Sequence, residues 1–165
     1  MPQLSWVFFL VLTAGLHQAT AVEAQPVSVT IADFDNFDTA GEGAQRTAEH
    51  AERVKAFANL LRIDLAAEGR YRVEQLGCAG SLCLAAKAPP ADFLQAARNS
   101  GARLFVYGGI HKQSTLVQWV LVHAIDLKKD KLVLERTFSL RGDTDEAFRR
   151  AADFIVEYVK DIPVD

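Results

Sequence analysis

The sequence is short of positive charge, of cysteine and of long apolar runs, and each shortage narrows what the chain can do. Eighteen Lys and Arg stand against 21 Asp and Glu over 165 residues, a net charge of −3 with the signs interspersed. No basic stripe of the kind that tracks a phosphate backbone is present, which argues against a nucleic-acid partner. Histidine occurs four times, never in His-x-His or His-Glu-x-x-His spacing, so neither a metal nor another cofactor is expected. No serine sits in a nucleophile-elbow context, and no catalytic residue is assigned.

The one long apolar run is Leu4 to Leu16, followed by small residues at Ala19-Thr20-Ala21 and Val22-Glu23-Ala24. It has the length of a signal-peptide core and falls short of the roughly 20 residues a membrane span needs. No Lys or Arg precedes it, and no cysteine follows directly to accept a lipid. The expectation is a signal peptide over residues 1–24, cleavage, and a periplasmic protein without a remaining membrane span. The rest, 25–165, suits one α/β domain with a real core.

Only two cysteines are present. They lie in Gly77-Cys-Ala-Gly-Ser-Leu-Cys83, where the glycines indicate a loop. In an oxidising compartment such a pair most often closes a small structural disulfide. Buried free thiols and a redox-active pair are the alternatives, although redox pairs more usually have Cys-x-x-Cys spacing.

Periodicity supplies the order of elements. Val27, Val29 and Ile31 alternate with polar residues as in a strand. Asp33, Asp35, Asp38 and Glu42 follow in a glycine-containing stretch, read as an acidic loop at the strand end. EF-hand spacing is absent, so a solvated loop is preferred over a calcium site. Its place at a strand's carboxyl end keeps it a binding candidate. From Gln45 to Glu68, Val54, Phe57, Leu61 and Leu65 share a helical face, and Gly69 suits the end. Tyr71–Glu74 is a short strand, and Pro90 opens a helix that closes at Asn99-Ser100-Gly101.

Leu104–Tyr107 is apolar throughout, as expected of a strand buried on both faces. Trp119, Leu121, His123 and Ile125 share one face of the next strand, and Leu132, Leu134, Arg136, Phe138 and Leu140 one face of the third. Two-residue loops at Ser114-Thr115 and Lys129-Asp130 would match these faces, and a four-residue loop would keep the match. Gly108-Gly109 would make room for Trp119 or a twist. Asp143, three residues before Glu146, resembles a capping box opening a last helix with Phe148, Ala151, Ile155 and Tyr158 on its apolar stripe. The order β-α-β-α-β-β-β-α predicts an α/β (α+β) fold. Its mixed sheet has about five strands and ends in an antiparallel meander and a C-terminal helix. On the meander face His123 and Arg136 are the polar exceptions. In the two-residue register they oppose each other and could hold an anion together. The plainer reading is a hydrogen-bonded core histidine and an arginine reaching past the last helix to Asp153 or Glu157.

Two stretches carry a family resemblance. Ile31-Ala-Asp-Phe-Asp-Asn-Phe-Asp38 and Arg141-Gly-Asp-Thr-Asp-Glu-Ala-Phe-Arg-Arg150 look like DUF2380/DUF3280, exported bacterial proteins of unknown function. The segment from Ala96 to Ile110 resembles the α/β domain at the N-terminus of TolB, shared by FlgO- and CsgG-like envelope proteins. The resemblance implies an exported protein with no catalytic residues to carry over. The apolar leader, the compact fold and the lack of a catalytic constellation then lead to the expectation of a non-enzymatic accessory or binding module of an envelope system, with another envelope protein as partner. The alternative is an enzyme or small-ligand sensor using His123, Arg136 and the acidic stretch Asp33, Asp35 and Asp38.

Overall fold

A computed structural model describes residues 25–164; the expected signal peptide lies outside the described residues. Six strands and three helices occur in the order β1 (Val27–Ile31), β2 (Asp35–Asp38), α1 (Ala44–Ala67), β3 (Tyr71–Glu74), α2 (Pro90–Asn99), β4 (Leu104–Lys112), β5 (Gln118–Asp126), β6 (Lys131–Leu140) and α3 (Asp145–Lys160). The sheet runs β3-β1-β4-β5-β6, and β2 lies beside the far half of β4. Strands β3, β1, β2 and β4 are parallel, and β4, β5 and β6 form the antiparallel meander. The expected α/β class and terminal meander are present, with six strands in place of about five. The added strand is the acidic stretch itself. The chain leaves the β1 ladder at Ala32 to Phe34 and returns to β4 as Asp35–Asp38.

Side-chain alternation divides β4 between two cores. Leu104, Val106 and Ile110 face α1 and α3, where Phe57, Leu61, Phe148 and Ile155 complete the main core. Phe105 faces the other way and packs with Phe93 and Ala97 of α2 in a smaller cluster.

The meander register differs from the expected one. Lys112 pairs with Gln118, so the first loop has five residues, an odd number that slips every β5 face by one. Val120, Val122 and Ala124 therefore enter the main core. Trp119, Leu121 and His123 take the opposite face. The second loop has the four-residue length, with Asp130 at φ 51°. A bulge then shifts the β5–β6 register: Ile125 pairs with Leu132 but Ala124 with Leu134, leaving Val133 over.

Both inner glycines of β4 serve close approach, though not of Trp119. A Cβ at Gly108 would run into the Leu121 carbonyl and the Phe34 ring, and one at Gly109 would meet the Phe37 ring at 2.9 Å. The α3 cap is Thr144, whose hydroxyl accepts the Ala147 N–H at 3.2 Å. Asp143, the expected cap, turns inward instead.

Candidate functional site

The face of the sheet that carries α2 is only half covered. Helix α2 and the cysteine loop shield the Phe105 end. Beyond them, register sets three rows of residues across the sheet. Phe37, His111, Trp119 and Ser139 form one row across β2, β4, β5 and β6. Asp35, Gly109, Leu121 and Thr137 form the next, and Tyr107, His123 and Glu135 the third.

The aromatic rows are stacked. Phe37 and His111 have ring centroids 4.5 Å apart at 19°, and His111 and Trp119 5.3 Å apart at 4°. Tyr107 and His123 stack at 4.9 Å and 22°. Such stacks bring about 0.5–1.5 kcal/mol each beyond area burial, so the rows are held in place before anything binds. Each row ends on β6 in a residue that does not continue the stack, Ser139 or Glu135. Phe37 is 39% exposed, and the tip of the adjoining β4–β5 hairpin leaves Leu116 77% and Val117 49% exposed. Together these residues make an apolar, aromatic patch with a polar border, the composition of an interaction surface.

His123 belongs to this face. Its Nε2 lies 3.5 Å from Glu135 Oε2, while its Nδ1 is buried without a hydrogen-bond partner. The side-chain carboxyl of Asp35 sits beneath the rows, accepting the Ala86 N–H at 3.0 Å; burial pushes its pKa up, only partly offset by that bond. Burial and the nearby Glu135 carboxylate raise the Tyr107 phenol as well.

The other expected binding residues are elsewhere. Arg136 pairs across from Val122, on the opposite sheet face from His123. The bulge at Val133 is the physical reason. Its guanidinium lies over the Tyr158 ring of α3 at 5.7 Å, a reach to the last helix that uses a ring in place of Asp153 or Glu157. The three aspartates do not converge. Asp33 pairs with Arg62 at 2.9 Å, Asp35 turns under the sheet face, and Asp38 accepts the Ala40 N–H at 2.9 Å. Among the described residues no cluster of His, Cys, Asp and Glu could hold a metal ion. Asp33 and Arg62 border a cavity of about 510 Å³ at the carboxyl ends of β1 and β3, beside the Cys78–Cys83 disulfide.

Sequence reasoning missed a buried charge cluster on the opposite side of β4. Lys112 is fully buried, and its Nζ donates to Glu42 at 2.5 Å and to Asp143 at 2.7 Å. Asp143 also accepts from His50 Nδ1 at 3.0 Å and lies 3.4 Å from Arg53, and Glu42 accepts from the Thr115 hydroxyl. Burial opposes the Lys112 charge, but its two carboxylate partners more than reverse this and raise its pKa. Burial would likewise raise Asp143, yet the bonds from Lys112 and His50 bring it below the usual carboxylate range. The Lys112 hydrogen bond is the main cause of a lowered Glu42. This cluster is enclosed, so it ties β4, α1 and the α3 entrance together and offers no open site. One signal was legible: Lys112 continues the core-facing parity of Leu104, Val106 and Ile110.

Comparison with solved structures places the architecture. TolB from Acinetobacter baumannii superposes with a TM-score of 0.55 at 14% identity, covering 82% of this chain but only 28% of TolB. The PelC dodecamer from Paraburkholderia phytofirmans gives 0.52 at 15% identity, covering 90% of this chain and 95% of that one. The lipoprotein GNA1162 from Neisseria meningitidis gives 0.50 at 11% identity, with 84% and 100% covered. At these identities the likeness is one of fold. No curated protein matches the chain. The match that reaches the sequence itself spans residues 27–159, from the first strand to the end of α3, and is to the model of a protein of unknown function, DUF2380. With nearly every described element inside that span, the chain belongs to the DUF3280 family.

Proposed function

We propose that this protein is a non-catalytic binding module of the bacterial envelope, exported to the periplasm, that holds another envelope protein on the half-covered face of its sheet. The observation that carries the reading is the preassembled row Phe37, His111 and Trp119 beside the exposed hairpin tip. Aromatic side chains held rigid at an open surface give up little entropy on binding, and residues of this type dominate interface energetics. The reading is supported by the apolar N-terminal run and by a fold shared with a lipoprotein and with a protein that forms a dodecamer. His123 and Arg136 lie on opposite faces, which weighs against the enzyme or sensor alternative built on His123, Arg136 and the acidic stretch Asp33, Asp35 and Asp38.

The test is site-specific photocrosslinking in cells, with the probe at Leu121 on the face and, as control, at Glu52 on α1. The expected result is one defined envelope-protein adduct from Leu121. His111→Ala with Trp119→Ala removes it and weakens affinity by about tenfold or more, while the chain stays folded and loses only the roughly 1–3 kcal/mol that the two stacks supply. An adduct that persists in this variant, or that forms only from Glu52, refutes the proposal.

A further inference from the structure

The sheet has two edges of very different character. At one, the open strands β3 and β2 are four residues long each, and β3 carries the Arg72–Glu74 ion pair, a short and charged flank of the kind that resists pairing. At the other, β6 is ten residues long, and among the described residues only β5 pairs with it. Its protective bulge lies near its start, at Val133, so the half from Glu135 to Leu140 runs regular and without proline, and Arg141 follows directly on its end. A groove of about 410 Å³ separates this half from α3, floored by Phe138, Ala147 and Ala151 and flanked by Phe154, which is 61% exposed.

The sequence of that half is complementary to itself. Laid antiparallel against a second copy about Phe138, it sets Phe138 against Phe138, Thr137 against Ser139, and Arg136 against Leu140. Glu135 then meets Arg141 of the other copy, twice by symmetry. Aromatic pairs, hydroxyl pairs and opposite charges are the cross-strand combinations that stabilise antiparallel strands. No like charges oppose each other in this register, and a slip of the axis by one residue, to Thr137, would set the β-face residues Arg136 and Phe138 against each other and lose both ion pairs. We infer that β6 is a self-association edge. Two copies of this chain join antiparallel through Glu135–Arg141 into one continuous sheet, with a twofold axis at Phe138. Such an isologous contact closes on itself and leaves no further long edge. The axis is normal to the sheet, so both aromatic faces point the same way. The pairing runs along the free backbone edge of β6, where Glu135, Thr137 and Ser139 border the aromatic rows; sedimentation of the purified protein reads it without the envelope partner.

Charge reversal with rescue tests it, using sedimentation velocity of the purified protein. The wild-type chain is expected to dimerise. Glu135→Arg alone and Arg141→Glu alone each weaken the dimer about tenfold or more, because two attractions become two repulsions. The double variant E135R/R141E restores it. Phe138→Cys, on the axis, is expected to form a disulfide-linked dimer on mild oxidation. A monomer at about 100 μM, well above the micromolar Kd of a modest interface, overturns the inference. So does a dimer indifferent to both single reversals, or single reversals that the double variant fails to rescue. Circular dichroism of each variant separates loss of pairing from loss of fold.

Discussion

Replacing Asp126 with asparagine removes one carboxylate from the point where β5 enters its turn, and the structure fixes what that carboxylate does. Asp126 is fully buried and accepts two hydrogen bonds from Arg103, from Nε and Nη2, both at 2.7 Å. It also accepts the Lys128 and Lys129 N–H groups at 3.0 Å each. The Arg103 hydrogen bonds, set against burial, bring its pKa from 3.8 to about 2. That drop corresponds to about 2 kcal/mol of folding stability. The folded pKa is the lower one, so this stability is complete above the unfolded value of 3.8 and fades as pH falls towards about 2. Asparagine keeps an acceptor for the turn amides and loses the charge. Asp126→Asn should therefore cost about 2–3 kcal/mol at neutral pH and clearly less near pH 2, where the wild-type carboxylate is itself being protonated. Urea unfolding followed by circular dichroism across this range measures both. A deficit of the same size at all pH values would show that packing, not the ion pair, holds the start of β4 to the end of β5. A deficit near zero at neutral pH would show that Arg103 and Asp126 gain no more from each other than from water.

Three further outcomes follow from named contacts. Lys112→Met removes the buried cation that Glu42 and Asp143 share, leaving Asp143 to His50 and Arg53, and should cost about 3 kcal/mol in thermal or chemical unfolding. The deficit should ease in acid, where those carboxylates can take up protons. A pH-independent or negligible loss would contradict the charge account. Reducing the Cys78–Cys83 bond, or replacing both cysteines by serine, frees a small loop and should cost about 2 kcal/mol by chain entropy; an unchanged unfolding midpoint would mean the loop is equally ordered without it. Gly108→Ala drives a methyl into the Leu121 carbonyl and should cost about 1–3 kcal/mol. Gly109→Ala, which meets the partly exposed Phe37, should cost less and instead unstack Phe37 from His111. Equal stability losses in the two variants would refute this distinction.

Much of the fold was legible because it rests on local patterns. Val54, Phe57, Leu61 and Leu65 repeat at helical spacing and are buried together, and Pro90 and Gly69 mark ends where the helices have them. The disulfide was legible from two cysteines in a glycine-flanked loop. What escaped was set by distance and parity. Strand β2 reads Asp-Asn-Phe-Asp, with no alternation of its own, and exists because β4 extends far enough to pair with it. Loop length cannot be read to a single residue from polar sequence, and one residue in the first hairpin exchanged the two faces of β5. The bulge at Val133 then carried Arg136 away from His123. Lys112, His50 and Asp143 meet across separations of 31 and 93 residues, beyond the reach of spacing arguments.

The two sides of β4 bear on one another. His111 and Lys112 are adjacent in sequence and point to opposite faces, His111 into the stacked row and Lys112 into the enclosed charge cluster. A β-strand residue cannot shift along its ladder without taking its neighbour along, so the cluster that fixes Lys112 also fixes the ring between Phe37 and Trp119. An ordinary strand end would fray, and a frayed row would lose the preorganisation on which its binding depends. Lys112→Met should therefore weaken partner crosslinking from Leu121 even under conditions where the variant remains folded, although Lys112 touches nothing on that face. If crosslinking is unchanged while stability falls, the charge cluster serves the core alone, and the aromatic row is held by its own stacking.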